Sequence, residues 1–195
     1  MVSRQITGMR NAIPHHITYW NTTTIRSTNR GKLDQLLEYR QRLLDRYEAA
    51  AREFYAAAET ATRPEPALSE VEGFPREADG WSVHQVAAHT RDVEKMVYGM
   101  RVRRTLEEDN PLFEDFDGKA WMEEHYRAGE PLASILDELA GSVQAAVARL
   151  RGLPSAVWTR PSRHAAYGGG FTTQAWVERS LAHIEEHLKT VISNQ

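Results

Sequence analysis

The chain has 195 residues, a net charge of −3, and 41% hydrophobic and 26% charged residues, a profile typical of one globular domain with a sizeable core. Its slight negative charge and its lack of an apolar run near the roughly 20 residues of a membrane span lead us to expect neither a nucleic-acid nor a membrane partner. The absence of cysteine excludes disulfides, a cysteine nucleophile and thiolate metal ligands.

The first part of the chain divides into an extension, a helix and a linker. Residues 1–30 show no hydrophobic period and no continuous apolar stretch, so we predict an irregular extension without a secretory signal, and a cytoplasmic protein. From about Lys32 to Thr60, apolar residues recur at steps of three and four, which predicts an amphipathic helix. Prolines and a glycine then predict a linker over residues 62–80. Residues 31–195 are expected to form one domain.

A second helix is predicted to begin at Ser82. Gln85 follows three residues later, which is the capping-box pattern of a helix start. Valines continue with helical spacing, and the helix is predicted to end near Glu107. His89 lies beside this apolar stripe.

The remaining elements are predicted from helix-breaking prolines and glycines and from the spacing of apolar residues. A short helix is expected over 119–127, and a third long helix from Pro131 to about Leu150. Residues 158–173 are predicted to be a flexible loop, because their three glycines lack the lysine and preceding strand of a phosphate-binding loop. A fourth helix should then run to about Ile192. No segment alternates like a strand, so the sequence predicts an all-α, four-helix bundle with long connections.

Two histidines of the last helix, His183 and His187, are four residues apart and therefore lie on one helix face. This spacing can present two imidazoles to one metal ion, and His89 is a candidate third ligand. The sequence H-I-E-E-H lacks the glutamate that follows the first histidine in metalloprotease helices. The spacing therefore leaves two interpretations open, a metal site or two ordinary histidines on a helix seam.

The segment ADGWSVHQVAAHTRD, residues 78–92, resembles the helix-two signature of the DinB-like metal-binding four-helix bundles. In that family a Trp-Ser or Trp-Thr start precedes a metal-binding histidine, and a His-x-x-x-His pair lies in the last helix. The segment FDGKAWMEEHYRAGEPLASILDEL, residues 116–139, is also similar to the family. The resemblance covers roughly residues 32–193. It implies a DinB/YfiT-like four-helix bundle whose metal ligands are His89, His183 and His187.

The resemblance also implies a chemistry. The family is related to mycothiol- and bacillithiol-dependent transferases and to the N-terminal domain of maleylpyruvate isomerase. It therefore implies a thiol-dependent S-transferase or isomerase that acts on an electrophilic small molecule, with a low-molecular-weight thiol as cofactor. Three neutral ligands suit zinc or nickel, with iron or manganese as further candidates. A metal-dependent hydrolase and a non-enzymatic, stress-related metal-binding bundle are the alternatives. A homodimer is expected from the family.

Other polar residues near these helices are candidates for contact with the metal site or the substrate. His84 lies about 140° around the helix from His89, so the two cannot face one ion. Glu186 is a candidate hydrogen-bond partner for a ligand histidine, with an ordinary exposed side chain as the alternative. Four more residues are assigned to the surface, with contacts to substrate as the alternative: His125, His164, Arg91 and Arg163.

Overall fold

The computed structural model describes residues 22–62 and 80–193, with side chains from residue 30 onward. The helices are α1 (Thr22–Ala61), α2 (Val83–Val93), a π-helical segment (Glu94–Tyr98), α3 (Gly99–Glu107), α4 (Gly118–His125), α5 (Leu132–Leu150), α6 (Ser155–Trp158) and α7 (Thr173–Ser193). The strands are β1 (Leu112–Phe113), β2 (Pro161–His164) and β3 (Gly168–Thr172).

The chain divides into two compact units, Met1–Leu36 and Leu37–Gln195. The described part of the first unit is the N-terminal portion of α1. The second unit contains the rest of α1, all later elements and one continuous apolar core. No helix in the described part of the chain combines the length and the apolar character needed to cross a bilayer.

Four long helical segments form the bundle, as the sequence predicts: α1, the continuous run from α2 through α3, α5 and α7. The predicted capping box is present, because Gln85 N donates to Ser82 Oγ at 3.2 Å and Ser82 N donates to Gln85 Oε1 at 2.9 Å. The backbone N–H of Ala175 donates to Thr172 Oγ1 at the start of α7. These side chains satisfy backbone donors that a helix start leaves without intrahelical partners.

The core is built from the apolar stripes of all four long segments. Burying one large apolar side chain contributes roughly 1.5–3 kcal/mol before chain entropy is counted. The largest fully buried apolar side chains include Tyr47, Phe54, Phe113, Ile135, Leu139 and Trp176. Phe113 comes from a strand, so the connections as well as the helices close the core.

The first helix begins earlier than predicted. It starts at Thr22 instead of Lys32, so residues 22–30 are helical and the prediction of an irregular segment is wrong there. A helix that an amphipathic segment has nucleated gains one backbone hydrogen bond for each added residue, so it can extend into a polar sequence that has no period of its own. Residues 1–21 and most of the predicted linker, residues 63–79, lie outside the described residues.

The predicted flexible loop at 158–173 is also wrong, because it contains an antiparallel pair of strands, β2 and β3. Strand β1 adds to β2 in parallel, which gives a three-stranded sheet in the order β1-β2-β3. Burial alternates along β2, but the inward side chains are Ser162 and His164. Because these residues are polar, the strand shows no alternation of hydrophobicity in the sequence.

A buried polar cluster joins three of the long segments. Glu94, at the start of the π-helical segment, contacts the hydroxyls of Tyr47 on α1 and Ser180 on α7, and these hydroxyls lie 2.9 Å apart. All three groups are buried. A ring of three hydrogen bonds needs three protons, and the two hydroxyls supply only two. Burial raises the pKa of the Glu94 carboxyl group, more than the hydrogen bonds from Ser180 and Tyr47 lower it, so a proton on Glu94 would complete the ring.

We predict that Glu94→Gln gains stability relative to the parent protein as the pH rises. A folded-state pKa raised above the unfolded value of 4.5 gives stability that is present below pH 4.5 and is lost as the pH rises through the folded pKa. Glutamine cannot ionise, and its amide N–H can replace the carboxyl proton. Urea unfolding at a pH of about 4.5 and of about 8 measures the difference between the two proteins.

The histidines titrate in both proteins, so the difference isolates Glu94. Glu94→Ala is the control, since it leaves the hydroxyls of Tyr47 and Ser180 without their partner and should lower the free energy of unfolding by about 3 kcal/mol at a pH of about 4.5, and by less at a pH of about 8. Parallel pH profiles for the parent and the glutamine variant would show that Glu94 is not protonated in the folded state.

Candidate metal centre

The three histidines that the sequence singles out lie together between α2 and α7. Nε2 of His183 is 3.4 Å from Nε2 of His89 and 3.2 Å from Nε2 of His187. One nitrogen from each of the three residues lies within 4.8 Å of the others. His183 and His187 occupy successive turns of α7, and His89 faces them from α2.

These distances suit a metal ion. Two nitrogens bound at 2.0–2.1 Å in a tetrahedral arrangement stand about 3.3 Å apart, which is the separation seen between the Nε2 atoms. Without an ion, three converging imidazoles bring lone pairs and N–H groups into competition at one point. The donor set contains nitrogen alone, so it suits zinc, nickel, iron(II) or another first-row divalent ion better than calcium or magnesium.

The histidines are held in the form that binds metal. Burial, with a further effect from His187, lowers the pKa of His89 to about 4. Burial and the neighbouring His187 and His89 lower the pKa of His183 to about 3. Both imidazoles are therefore neutral near pH 7, and no proton must be displaced before they bind an ion.

The rings are positioned by packing instead of by hydrogen bonds. Nδ1 of His89 and Nδ1 of His183 are buried and have no hydrogen-bond partner among the described residues. The ring of Trp81 contacts His89 at a centroid distance of 5.0 Å, and the ring of Tyr98 contacts His183 at 5.6 Å. Metal-binding histidines usually donate their second N–H to a carboxylate or a carbonyl, and this site departs from that pattern.

Gly118, the first residue of α4, lies directly against His89. A Cβ atom at this position would stand 2.6 Å from Cε1 and 3.3 Å from Nδ1 of the imidazole. The side chain of Asp117 fixes the backbone here, because it accepts hydrogen bonds from the N–H groups of Lys119 and Ala120. Any side chain at position 118 must therefore push the His89 ring away.

A cavity of about 260 Å³ opens beside the site. His89 and His183 lie in its wall, so an ion bound between them would face the cavity. The other polar or aromatic residues of the wall include Tyr98, Arg101, Asp115, His164 and Tyr167. The cavity is the place where a small molecule would meet the three histidines.

The other histidines of the described chain take no part in the cluster. His84 is bound elsewhere, with its ring nitrogens 2.9 Å from Tyr126 Oη and 2.7 Å from the backbone oxygen of Glu130. His125 is exposed and stacks on Trp121, as its surface assignment predicted. The surface assignment of His164 is wrong, because this residue is 3% exposed and lines the cavity. The fold of β2 turns its side chain inward.

Of the three charged residues considered in the sequence, two are exposed and one is buried. Arg163 and Glu186 are exposed, and neither Nδ1 of His89 nor Nδ1 of His183 has a carboxylate partner in the described chain. The surface assignment of Arg91 is wrong, since it is buried in ion pairs with Asp92 at 2.7 Å and Glu130 at 2.6 Å. Glu130 lies 39 positions later, so sequence spacing does not reveal the pair.

Tyr98 and Arg101 are among the cavity residues that the sequence does not reveal. Tyr98 continues the spacing of the apolar stripe and looks like an ordinary core residue in the sequence. Arg101 lies in the run R-V-R-R, which resembles the polar face of an exposed helix. The only local signal is the π-helical segment between α2 and α3, a feature often found at functional sites, and it is visible only in the structure.

A three-histidine cluster set between the long helices of a four-helix bundle defines the chain as one of the metal-binding helical bundles. The family model of the DinB superfamily matches residues 67–191, and the chain belongs to this superfamily. The resemblance found in the sequence is thereby confirmed.

Among solved structures, the chain is similar to YfiT from Bacillus subtilis, with a TM-score of 0.62 and 22% identity over 77% of this chain and 85% of the YfiT chain. YfiT is described as a probable metal-dependent hydrolase with an unusual four-helix bundle topology. This likeness supports the fold. A search of curated proteins finds no match.

We predict that Gly118→Ala weakens metal binding by about tenfold, because the new methyl group displaces the His89 ring. Titration of the metal-free protein with zinc, followed by isothermal calorimetry, measures the affinity. Gly129→Ala is the matched control, since a Cβ atom there meets nothing within 4 Å. Equal affinities for the two variants would mean that the position of His89 does not depend on Gly118.

The lowered histidine pKa values predict acid sensitivity of the metal-free protein. Below a pH of about 6.5 these two histidines bind protons in the unfolded chain but stay neutral in the folded one. The free energy of unfolding therefore decreases as the pH is lowered. Each such proton contributes about 1.4 kcal/mol per pH unit. His183→Ala should show a shallower fall between a pH of about 6.5 and about 4 in denaturant titrations. An unchanged slope would contradict the assignment.

Proposed function

We propose that the chain is a metal-dependent enzyme that holds one divalent ion with His89, His183 and His187. The observation that carries this proposal is the convergence of three imidazoles, two of which, those of His89 and His183, line a cavity. A structural metal site is usually closed by four protein ligands, whereas three ligands leave a position open for a reactant. The cavity beside His89 and His183 gives that reactant room.

In the proposed site, the ion and the surrounding side chains have different roles. The bound ion would supply a Lewis acid that lowers the pKa of a thiol or a water molecule. The proposed ligand set contains no carboxylate, so it does not offset the ion's charge. Trp81 and Tyr98 pack against the ligand rings and limit the access of bulk water. Zinc and nickel are the preferred ions, with iron or manganese as further candidates.

A low-molecular-weight thiol is the proposed nucleophile, and an electrophilic small molecule is the proposed substrate. This assignment rests first on the resemblance to the thiol-dependent transferases and isomerases. It is consistent with the chain itself, which has no cysteine to provide a sulfur of its own. A thiol is far more acidic than water, so it needs no strong base within the site. The homodimer expected from the family stays a prediction.

A metal-dependent hydrolase is the second candidate. YfiT is described as a probable enzyme of that kind. Hydrolysis also needs a base near the reacting water, and His164 lines the same cavity. Burial lowers the pKa of this imidazole, so it is neutral and able to accept a proton near pH 7.

The first test is elemental analysis of protein purified without a histidine tag. We expect about one divalent ion per chain in the parent protein, and loss of the ion in His89→Ala, His183→Ala and His187→Ala. His84→Ala is the matched control, because this histidine lies on the same helix but binds Tyr126 and Glu130. A parent protein that holds no ion after incubation with zinc or nickel would refute the proposed centre.

A second experiment separates the two reactions. The metal-loaded protein is incubated with chlorodinitrobenzene and either bacillithiol or mycothiol, and the thioether product is measured. In this reaction the sulfur forms a bond to the ring carbon and chloride leaves. Turnover of nitrophenyl esters without any thiol would favour the hydrolase instead. A large loss of thermal stability on chelation, with neither activity, would support a non-enzymatic metal-binding bundle.

A further inference from the structure

The cavity beside the histidines also contains a buried positive charge, Arg101 on α3. Its side chain is 7% exposed. The guanidinium carbon lies 4.8 Å from the ring centre of Trp176 and 5.8 Å from that of Phe113. These cation–π contacts fix the position of the group, but they do not neutralise its charge.

Arg101 has fewer partners than its donors allow. Its hydrogen bonds to described residues come from Nη2 alone, to the backbone oxygen of Glu114 at 2.8 Å and to Nε2 of His164 at 3.2 Å. Nε is buried and has no hydrogen-bond partner among the residues that the structure describes. No carboxylate of the described chain lies within ion-pair distance of the guanidinium, since none of the ion pairs formed there involves Arg101.

A second donor competes with Arg101 for the imidazole of His164. The backbone N–H of Ala166 points to Nδ1 of the same ring at 3.2 Å. A neutral imidazole accepts a hydrogen bond at only one of its nitrogens, so Arg101 and Ala166 compete for it. The guanidinium therefore has spare donors and forms no ion pair with any carboxylate of the described residues.

Two other buried arginines, Arg40 and Arg91, differ from Arg101 because their Nε atoms donate hydrogen bonds. Nε of Arg40 donates to Gln174 Oε1 at 3.1 Å, and Nε of Arg91 donates to Asp92 Oδ1 at 2.7 Å. Arg91 is also paired with Glu130. A buried charge without a counter-ion costs free energy, which an anionic ligand offsets when it binds.

Arg101 and the histidines face the same space. Arg101, His89 and His183 all line the cavity of about 260 Å³, and Arg179 adds a second positive charge at its exposed side. Of the described residues, Asp115 is the one carboxylate in the cavity wall, and it is exposed. Ligand pockets usually begin at about 300 Å³, so this cavity selects for small molecules.

We propose that Arg101 binds the carboxylate of the substrate, so that the enzyme acts on small carboxylic acids. Nη1, which donates to no described residue, is the donor that reaches the ligand. Guanidinium groups suit carboxylates because they offer several N–H groups in one plane. Anion binding at Arg101 requires no metal, whereas the statement that this anion is the substrate rests on the proposed function.

The test compares glutarate with its neutral diamide, glutaramide, by isothermal calorimetry. Each is titrated into the zinc-loaded protein and into the metal-free His183→Ala variant. We expect glutarate to bind at least about tenfold more tightly than glutaramide in both forms, because a charged acceptor strengthens the bond to the guanidinium. Arg101→Met should remove about tenfold of the glutarate affinity in each form.

Arg104→Met is the matched control. Arg104 lies one turn further along α3 and also stacks on Phe113, at 5.1 Å, but it is paired with Glu108 and lies outside the cavity wall. Its substitution should change the glutarate affinity by less than about twofold, as is usual for an exposed ion pair. Arg101→Lys, which keeps the charge and most of the packing volume, provides a second variant if Arg101→Met does not fold.

The outcomes separate the two proposals. Glutarate binding that depends on zinc but not on Arg101 would overturn the carboxylate subsite and leave the metal centre intact. Equal binding of glutarate and glutaramide to the parent protein would also overturn it, whatever the variants do. Arg101-dependent glutarate binding to a parent protein that takes up no zinc would support the subsite while refuting the metal-dependent function.

Discussion

The buried contact of Glu94 with Tyr47 and Ser180 is the constraint on which the candidate site depends. Glu94 lies five residues after His89, and Ser180 lies three residues before His183. At 1.5 Å per residue, each step amounts to about one helical turn, taken in opposite directions along the two helices. The Glu94–Ser180 contact and the His89–His183 contact are thus successive rungs between antiparallel segments. A slip of one turn would break both.

The Glu94–Ser180 and His89–His183 contacts are made by polar groups that burial favours in their neutral form. The hydrogen-bonded ring needs a protonated Glu94, and burial keeps His89 and His183 uncharged. The exception is Arg101, whose guanidinium has no carboxylate partner in the described chain. Among the described residues, Arg40, Arg91 and Arg101 are buried arginines, and Arg101 is the one of these three that lines the cavity. An ion and an anion bound in the cavity would then meet few competing charges from the protein.

The sequence predicts the bundle and the three histidines for reasons that lie in local spacing. Helix periodicity, the Ser82–Gln85 capping box and the four-residue separation of His183 and His187 are all short-range signals. His89 could be selected only through its family position beside an apolar stripe. What the sequence does not reveal is contact across the fold: Arg91 pairs with a glutamate 39 positions away, and strand β2 hides Ser162 and His164 behind a polar pattern.

Gly118 shows why such contacts matter for the site. In the sequence it looks like a turn glycine before a short helix, yet its constraint comes from the His89 ring, which leaves no space for a Cβ atom. Since Nδ1 of His89 and Nδ1 of His183 lack hydrogen-bond partners in the described chain, the orientation of these rings depends on such packing contacts. Packing restrains where a ring lies, but it does not supply the hydrogen-bond acceptor that raises the basicity of a ligand histidine. On the proposed function, the ligand set would therefore discriminate between metals mainly by geometry, and the chemistry of the site would depend on which molecules the cavity and Arg101 bind.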